Sequence, residues 1–244
     1  MRSKSESGKS LSKASLEAQF TSFLLAPSFP CLGAKAAFNG GSYIFKAYDQ
    51  LASCESTKAI ATDLQAFTSS EMLRECAYAT FIAAFRSPAS VSELVFERLL
   101  WSQLQQLTDA ESGTQSWDST VSSDPANPRF SFSFGGRALY VVGMHGRSSR
   151  LARQFPWPVL VFNPHEQFER LRTDGNWRRM QTVIRSRDIA LQGDVNPMLS
   201  DFGEVSESRQ YSGREVEKDW KAPFDGGHAD NQKPASRCPF APRE

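Results

Sequence analysis

The sequence is short of the residue types that mark most common chemistries. Among 244 residues there are four cysteines and three histidines. Cys31, Cys54, Cys76 and Cys238 are scattered without a CxxC pair, which argues against a disulfide framework or a structural zinc site. They read as four reduced thiols, most of them buried as small hydrophobes. Charge of neither sign is in excess: 28 Lys and Arg face 27 Asp and Glu, a net +1. That balance asks for no nucleic-acid and no membrane partner. Long apolar runs are missing, so no segment is expected to cross a bilayer. The opening MRSKSESGKSLSKASLEAQF also lacks the apolar core and small-residue cleavage site of a secretory signal. The expected location is cytoplasmic. No GxSxG, P-loop or HExxH occurs, and the absence of GxGxxG argues against a nicotinamide-binding Rossmann unit.

What is present is enough apolar material for a core, 40% hydrophobic against 23% charged. Residues 1–12 are Ser- and Lys-rich and are expected to be disordered. Leu16, Phe20, Phe23 and Leu24 then recur at helical spacing. A short helix is predicted from Cys31 to Phe38, closed by Asn39-Gly40-Gly41, after which SYIFKAYDQL fits strand or helix. Ala77 to Phe85 reads as a buried strand, and a helix from near Ser90 would place Phe96, Leu100, Leu104 and Leu107 on one face. A polar loop is predicted over 109–128. Phe130, Phe132 and Phe134 alternate with serines before Gly135-Gly136 and a second strand, Ala138 to Gly143, which is a β-hairpin pattern. Pro158 to Asn163 forms another strand, with helices from Pro164 and over Trp177 to Ile189. After Leu191 periodicity ends, but Phe202, Tyr211 and Trp220 suggest an ordered, functional loop. The tail from Asp225 is expected to be unstructured. The order points to an α+β fold: one domain over 13–224 with a mixed β-sheet, including the Gly-Gly hairpin, packed by helices.

Several residues could carry chemistry. FPCLGAKAAF puts Cys31 at a helix start, where free N–H groups and the positive dipole end favour a metal-binding thiolate. The alternative is an inert buried cysteine. CLGAKAA is similar to the segment after the thiolate ligand of cytochromes P450, in which a glycine two residues on, here Gly33, lets haem approach the helix. His145 closes a strand and His165 opens a helix, and either could ligate iron or be structural. For His165 the structural reading is strong, because Phe168 and Leu171 follow on what would be a core-facing side. His228 falls in the tail and is set aside. GRSSRLARQF gathers Arg147, Arg150 and Arg153 behind a candidate N-cap, Ser148. Arg150 and Arg153 would share a helix face, suited to gripping carboxylates such as haem propionates or else simply solvated. Arg178, Arg179, Arg185 and Arg187 read as a surface helix. Glu166, Glu169, Asp188, Asp201, Glu204 and Glu207 are the nearby carboxylates. A guanidinium would need one or two of them, and spacing does not separate that role from surface salt bridges.

FPCLGAKAAF, RFSFSFGGRALYVVGMHGRSSRLARQFPWPVLVFNPHEQFERLR and LQGDVNPMLSDFGEVSESRQYSGREVEKDW together closely resemble the YqcI/YcgG family, from about Phe29 to Phe224. That family includes haem-dependent N-oxygenases acting on guanidine nitrogens, among them the N-hydroxylase of guanitoxin biosynthesis. The resemblance implies haem b as cofactor, dioxygen as co-substrate, an external electron donor, and a small-molecule guanidine substrate, arginine or a derivative. It also implies Cys31 as proximal ligand beside Gly33, with His165 or His145 as the rival ligand or the distal acid–base group, and Arg147, Arg150 and Arg153 near the propionates. Glu166, Glu204 or Asp201 would hold the guanidinium. A haem-binding sensor or carrier without turnover is the alternative. Family members often have a cysteine after the tryptophan-lysine pair near the end, where this chain has Ala222.

Overall fold

Alternating side chains give each strand two faces, and here both are apolar. In β2 (Thr80–Ser87), Phe81, Ala83 and Phe85 join one hydrophobic cluster while Ile82 and Ala84 join another, and all five are buried. A strand of this kind needs cover on both sides. The computed structural model of the chain, which describes residues 12–111 and 115–226, supplies it with two helical layers on a five-stranded mixed sheet.

The sheet order is β1 (Tyr43–Gln50), β2, β5 (Val159–Pro164), β4 (Arg137–Met144), β3 (Phe132–Phe134). Only β1 and β2 run parallel; the other neighbours are antiparallel. Phe134 pairs with Arg137, so Gly135 and Gly136 alone join β3 to β4. Both have positive φ, the backbone state that a two-residue hairpin demands and that glycine adopts without Cβ strain. SYIFKAYDQL, left open between helix and strand, is β1.

On one face lie α3 (Cys54–Thr68) and α5 (Glu93–Glu111). Phe96, Leu100, Leu104 and Leu107 point inward from α5 as their spacing predicts. α3 was not among the expected elements, although Ile60, Leu64 and Phe67 recur at helical spacing and Ser53 caps its first turn. A four-residue helix, α4 (Met72–Glu75), leads into β2. The other face carries α1 (Lys13–Leu25) and α2 (Leu32–Asn39), which contribute Leu16, Phe20, Leu24 and Phe38. Beside them α6 (His165–Thr173) and α7 (Trp177–Gln192) follow β5.

The segment after α7 is ordered by burial rather than by repeating structure. Tyr211 is fully buried, and Arg214 makes two hydrogen bonds of 3.1 Å to Glu97 of α5, which also accepts from Ser212 and Trp220. At the margins, Ser12 caps α1 and Asp225 exchanges two hydrogen bonds with Gln105. The expected disorder of residues 1–11 and 227–244 lies outside the described residues. Cys31 and Cys76 are free thiols, but Cys54 is disulfide-bonded, contrary to the reading of four reduced cysteines. Among the described residues no helix is long and apolar enough to cross a membrane.

Candidate functional site

The side of the sheet that faces α1 and α2 is not wholly filled by them. Beyond Phe38, the side chains of Ile82, Val142 and Val161 form the floor of a cavity of about 330 Å³, walled by α2, α6, α7 and the segment after α7. Its lining is mainly apolar. Of the residues singled out in the sequence, Cys31, Gly33, Arg150, Arg153, His165 and Asp201 meet there, together with two of the further carboxylates, Asp188 and Glu207.

Cys31 is the N-cap of α2, and its sulfur accepts a 3.5 Å hydrogen bond from the Ala34 amide. The helix start was expected to favour a thiolate. Burial instead pushes the thiol pKa up, and the Ala34 and Gly33 amides only partly oppose it, because desolvating a full charge outweighs two backbone dipoles. A Cβ at Gly33 would meet the Tyr78 ring at 3.5 Å, an ordinary contact, so no protein atom there requires glycine.

His165 opens α6 and is buried with its ring 4.3 Å from that of Phe202. Burial lowers its pKa and Glu169, 3.9 Å away, only partly restores it, which leaves a neutral imidazole. His145 is elsewhere. It is buried under Phe96, ring centroids 4.4 Å apart, and its Nδ1 accepts from the Arg147 amide. It does not line the cavity.

Arg150 and Arg153 neither share a helix face nor are solvated. Ser148 caps no α-helix; a single 3-10 turn, Leu151–Arg153, follows, and Arg150 and Arg153 are buried rather than solvated. Arg150 is held by Asp188 at 2.7 Å and by Asp194. Arg153 has no carboxylate partner among the described residues and donates to the carbonyl oxygens of Tyr211 (3.0 Å) and Gly143 (3.4 Å). Gly213, with φ +83°, makes room for it, since a Cβ there would fall 2.6 Å from Arg153 Cδ. Arg147 is exposed. Arg178 and Arg179 are exposed as expected of a surface helix, but Arg185 and Arg187 are half-buried.

The carboxylates are sorted by tertiary structure. Glu166 is outside the cavity in a 2.9 Å salt bridge with Arg137. Glu204 is exposed and lines a different, shallow groove. Asp201 faces the cavity and accepts a 2.7 Å hydrogen bond from Gln181. The acid that sequence reasoning named without selecting is Glu207, which lines the cavity, is 4% exposed and accepts from Tyr211 Oη at 2.6 Å. Burial raises its pKa to about 8, against the Tyr211 hydrogen bond and the positive charge of Arg172. Beside it Tyr140, pushed up to about 12 by burial, donates to Gln210 at 2.9 Å. The i, i+4 spacing of Glu207 and Tyr211 was the available signal, but it sits in a stretch without periodicity.

The YqcI/YcgG family pattern matches residues 20–225, which takes in every residue of this cavity. The chain belongs to that family. Among relatives, YcgG of Bacillus subtilis (strain 168) is 27% identical over 171 residues, 67% of this chain and 62% of that protein. The match thus spans less than two thirds of YcgG's length. YqcI of the same organism is 26% identical over 222 residues, 87% of this chain and 80% of YqcI. Both are described as uncharacterized proteins. No solved structure matches.

Proposed function

We propose that the chain is a haem-dependent oxygenase that hydroxylates a guanidine nitrogen of arginine or an arginine-derived small molecule. The main support is one apolar cavity that unites a free thiol, Cys31, a neutral imidazole, His165, and a buried carboxyl, Glu207. The donor set suits haem: sulfur and imidazole are its usual axial ligands. The walls are mainly apolar, and Arg153 has no carboxylate partner among the described residues. Haem b, when bound, supplies the dioxygen and one-electron chemistry that side chains lack.

Cys31 is the residue that would hold the haem iron, and as a thiolate it would supply the electron density that dioxygen chemistry at haem draws on. The metal's positive charge would offset the burial that otherwise keeps the thiol protonated. His165 holds a proton at a ring nitrogen inside the cavity, where it can orient a ligand or pass that proton on. Glu207, kept in place by Tyr211, ionises against the substrate's guanidinium and orients it. The reaction consumes dioxygen, two electrons from an external donor and two protons; one oxygen enters the N–H bond as N–OH and the other leaves as water. At about 330 Å³ the cavity lies near the lower end of small-molecule sites, so porphyrin and substrate together require a wall to move. α7, whose one buried residue is Asp188, is the wall least tied to the core.

An absorption spectrum of the purified protein with and without carbon monoxide tests the reading. A strongly red-shifted Soret band of the ferrous CO complex identifies thiolate, and an ordinary position identifies imidazole. A Cys31→Ser variant that keeps haem and its spectrum removes Cys31 from the site. Bound haem with no product from guanidines, given reductant and oxygen, leaves a sensor or carrier. No tetrapyrrole on extraction or reconstitution overturns the proposal.

A further inference from the structure

The cations around the cavity differ in what already holds them. Arg150 is paired with Asp188 and Asp194, Arg172 with Glu169, and Arg153 is braced on two carbonyl oxygens. Arg185 is different. It lines the cavity from α7, its Nε is buried without a hydrogen-bond partner, and its guanidinium makes no ion pair among the described residues. Arg187, two residues on, also has an unpartnered Nε, but its terminal nitrogen donates to the carbonyls of Pro27 and Phe29. A buried N–H without an acceptor costs about 1–3 kcal/mol. Such a group persists most readily where a ligand completes it.

Its neighbours on α7 fix where that ligand would lie. Gln181, one turn before Arg185, is bonded to Asp201, and Asp188, one turn after, is bonded to Arg150. Both flanking residues are therefore satisfied by protein, and Arg185 between them presents the open fork. A guanidinium fork matches a planar carboxylate in a bidentate arrangement.

We propose that Arg185 forms a carboxylate subsite, so that the cavity selects a guanidino acid over the same guanidine without its acid group. This rests on the guanidine reading above for the cationic end of the ligand, and on Arg185 alone for the anionic end. The competing source of a carboxylate is a haem propionate.

Equilibrium binding by calorimetry on the full chain separates these. The probes are L-arginine and agmatine, which carries the same guanidine and no carboxylate. The expected result is at least tenfold tighter binding of arginine, a gap that closes in Arg185→Gln through loss of arginine affinity with agmatine unchanged. Arg185→Lys, which keeps the charge without the fork, should fall between them. Equal binding of the two probes by the parent protein overturns the inference. So does loss of both in Arg185→Gln, or binding of neither probe. Titration with haem and with haem dimethyl ester forms the second arm. If Arg185→Gln weakens haem but not the ester, the carboxylate is a propionate and the substrate role is overturned. Discrimination of arginine by a protein that takes up no haem leaves this inference standing while the oxygenase reading fails.

Discussion

The two faces of the sheet are built from the same strands and serve different ends. Towards α3 and α5, Phe81, Phe85, Leu139, Val141, Leu160 and Phe162 meet helix side chains in a continuous core. Towards α1 and α2, Phe45, Ile82, Ala84 and Met144 are covered by the helices, but the floor extends past them under α6 and α7. The closed face buries aromatic rings against leucines. The open face collects Cys31, His165, Arg153 and Glu207, polar groups whose burial is costly unless a ligand or partner compensates. The continuous core thus lies on one side and the candidate site on the other.

The sharpest way to break this contrast is to truncate one residue on each side. Phe162→Ala, on the closed face, is expected to cost about 3–5 kcal/mol in denaturant unfolding. If it cost no more than a truncation on α7, the division of labour would be wrong. Next in size is Glu97→Ala, which leaves Arg214 only its partly exposed partner Glu217 and detaches Ser212 and Trp220. A loss of about 3 kcal/mol is expected, with the segment after α7 opening to protease before the core unfolds.

The open face should also announce itself through pH. Glu207 has a folded pKa raised from 4.5 to about 8, so the folded state binds more protons than the unfolded one in that window, and stability falls as pH rises through it. His145 and His165 have folded pKa values below 6.5, which has the opposite sign and costs stability as pH falls below 6.5. Between pH 6.5 and about 8 the Glu207 effect is therefore unopposed by the histidines. Melting temperatures should decline across that range and the decline should flatten in Glu207→Gln. An unchanged slope in the variant would show that the carboxyl is not held protonated. The smallest effect is expected on α7, where Ile184→Ala and Met180→Ala should each cost under about 1 kcal/mol, since neither side chain is buried.

The same contrast explains what could be read in advance. The closed face is periodic: phenylalanines alternate in β3 and leucines recur along α5, and the sequence reading found both. It also placed Cys31 and His165 at helix starts, where they stand. Its errors lie where periodicity is absent. The spacing of Arg150 and Arg153 suits a helix face, yet Arg150 precedes and Arg153 ends a 3-10 turn, and both are buried. Glu166 and Glu204 could not be told from Glu207, because six acids on aperiodic or exposed segments look alike until their surroundings are known.

By itself, then, the chain's sequence determined every strand but β1, most of the helices, the Gly135-Gly136 hairpin and the family. These follow from local rules of alternation, spacing and turn chemistry, or from long continuous motifs. Only the tertiary structure decided which carboxyl loses its water, which arginines lack an acid, and that Cys31 and His165 share a cavity while His145 does not. Burial and charge pairing are set by residues from tens of positions apart, as in Arg150–Asp188, to more than a hundred, as in Glu97–Arg214, and no local pattern encodes those distances.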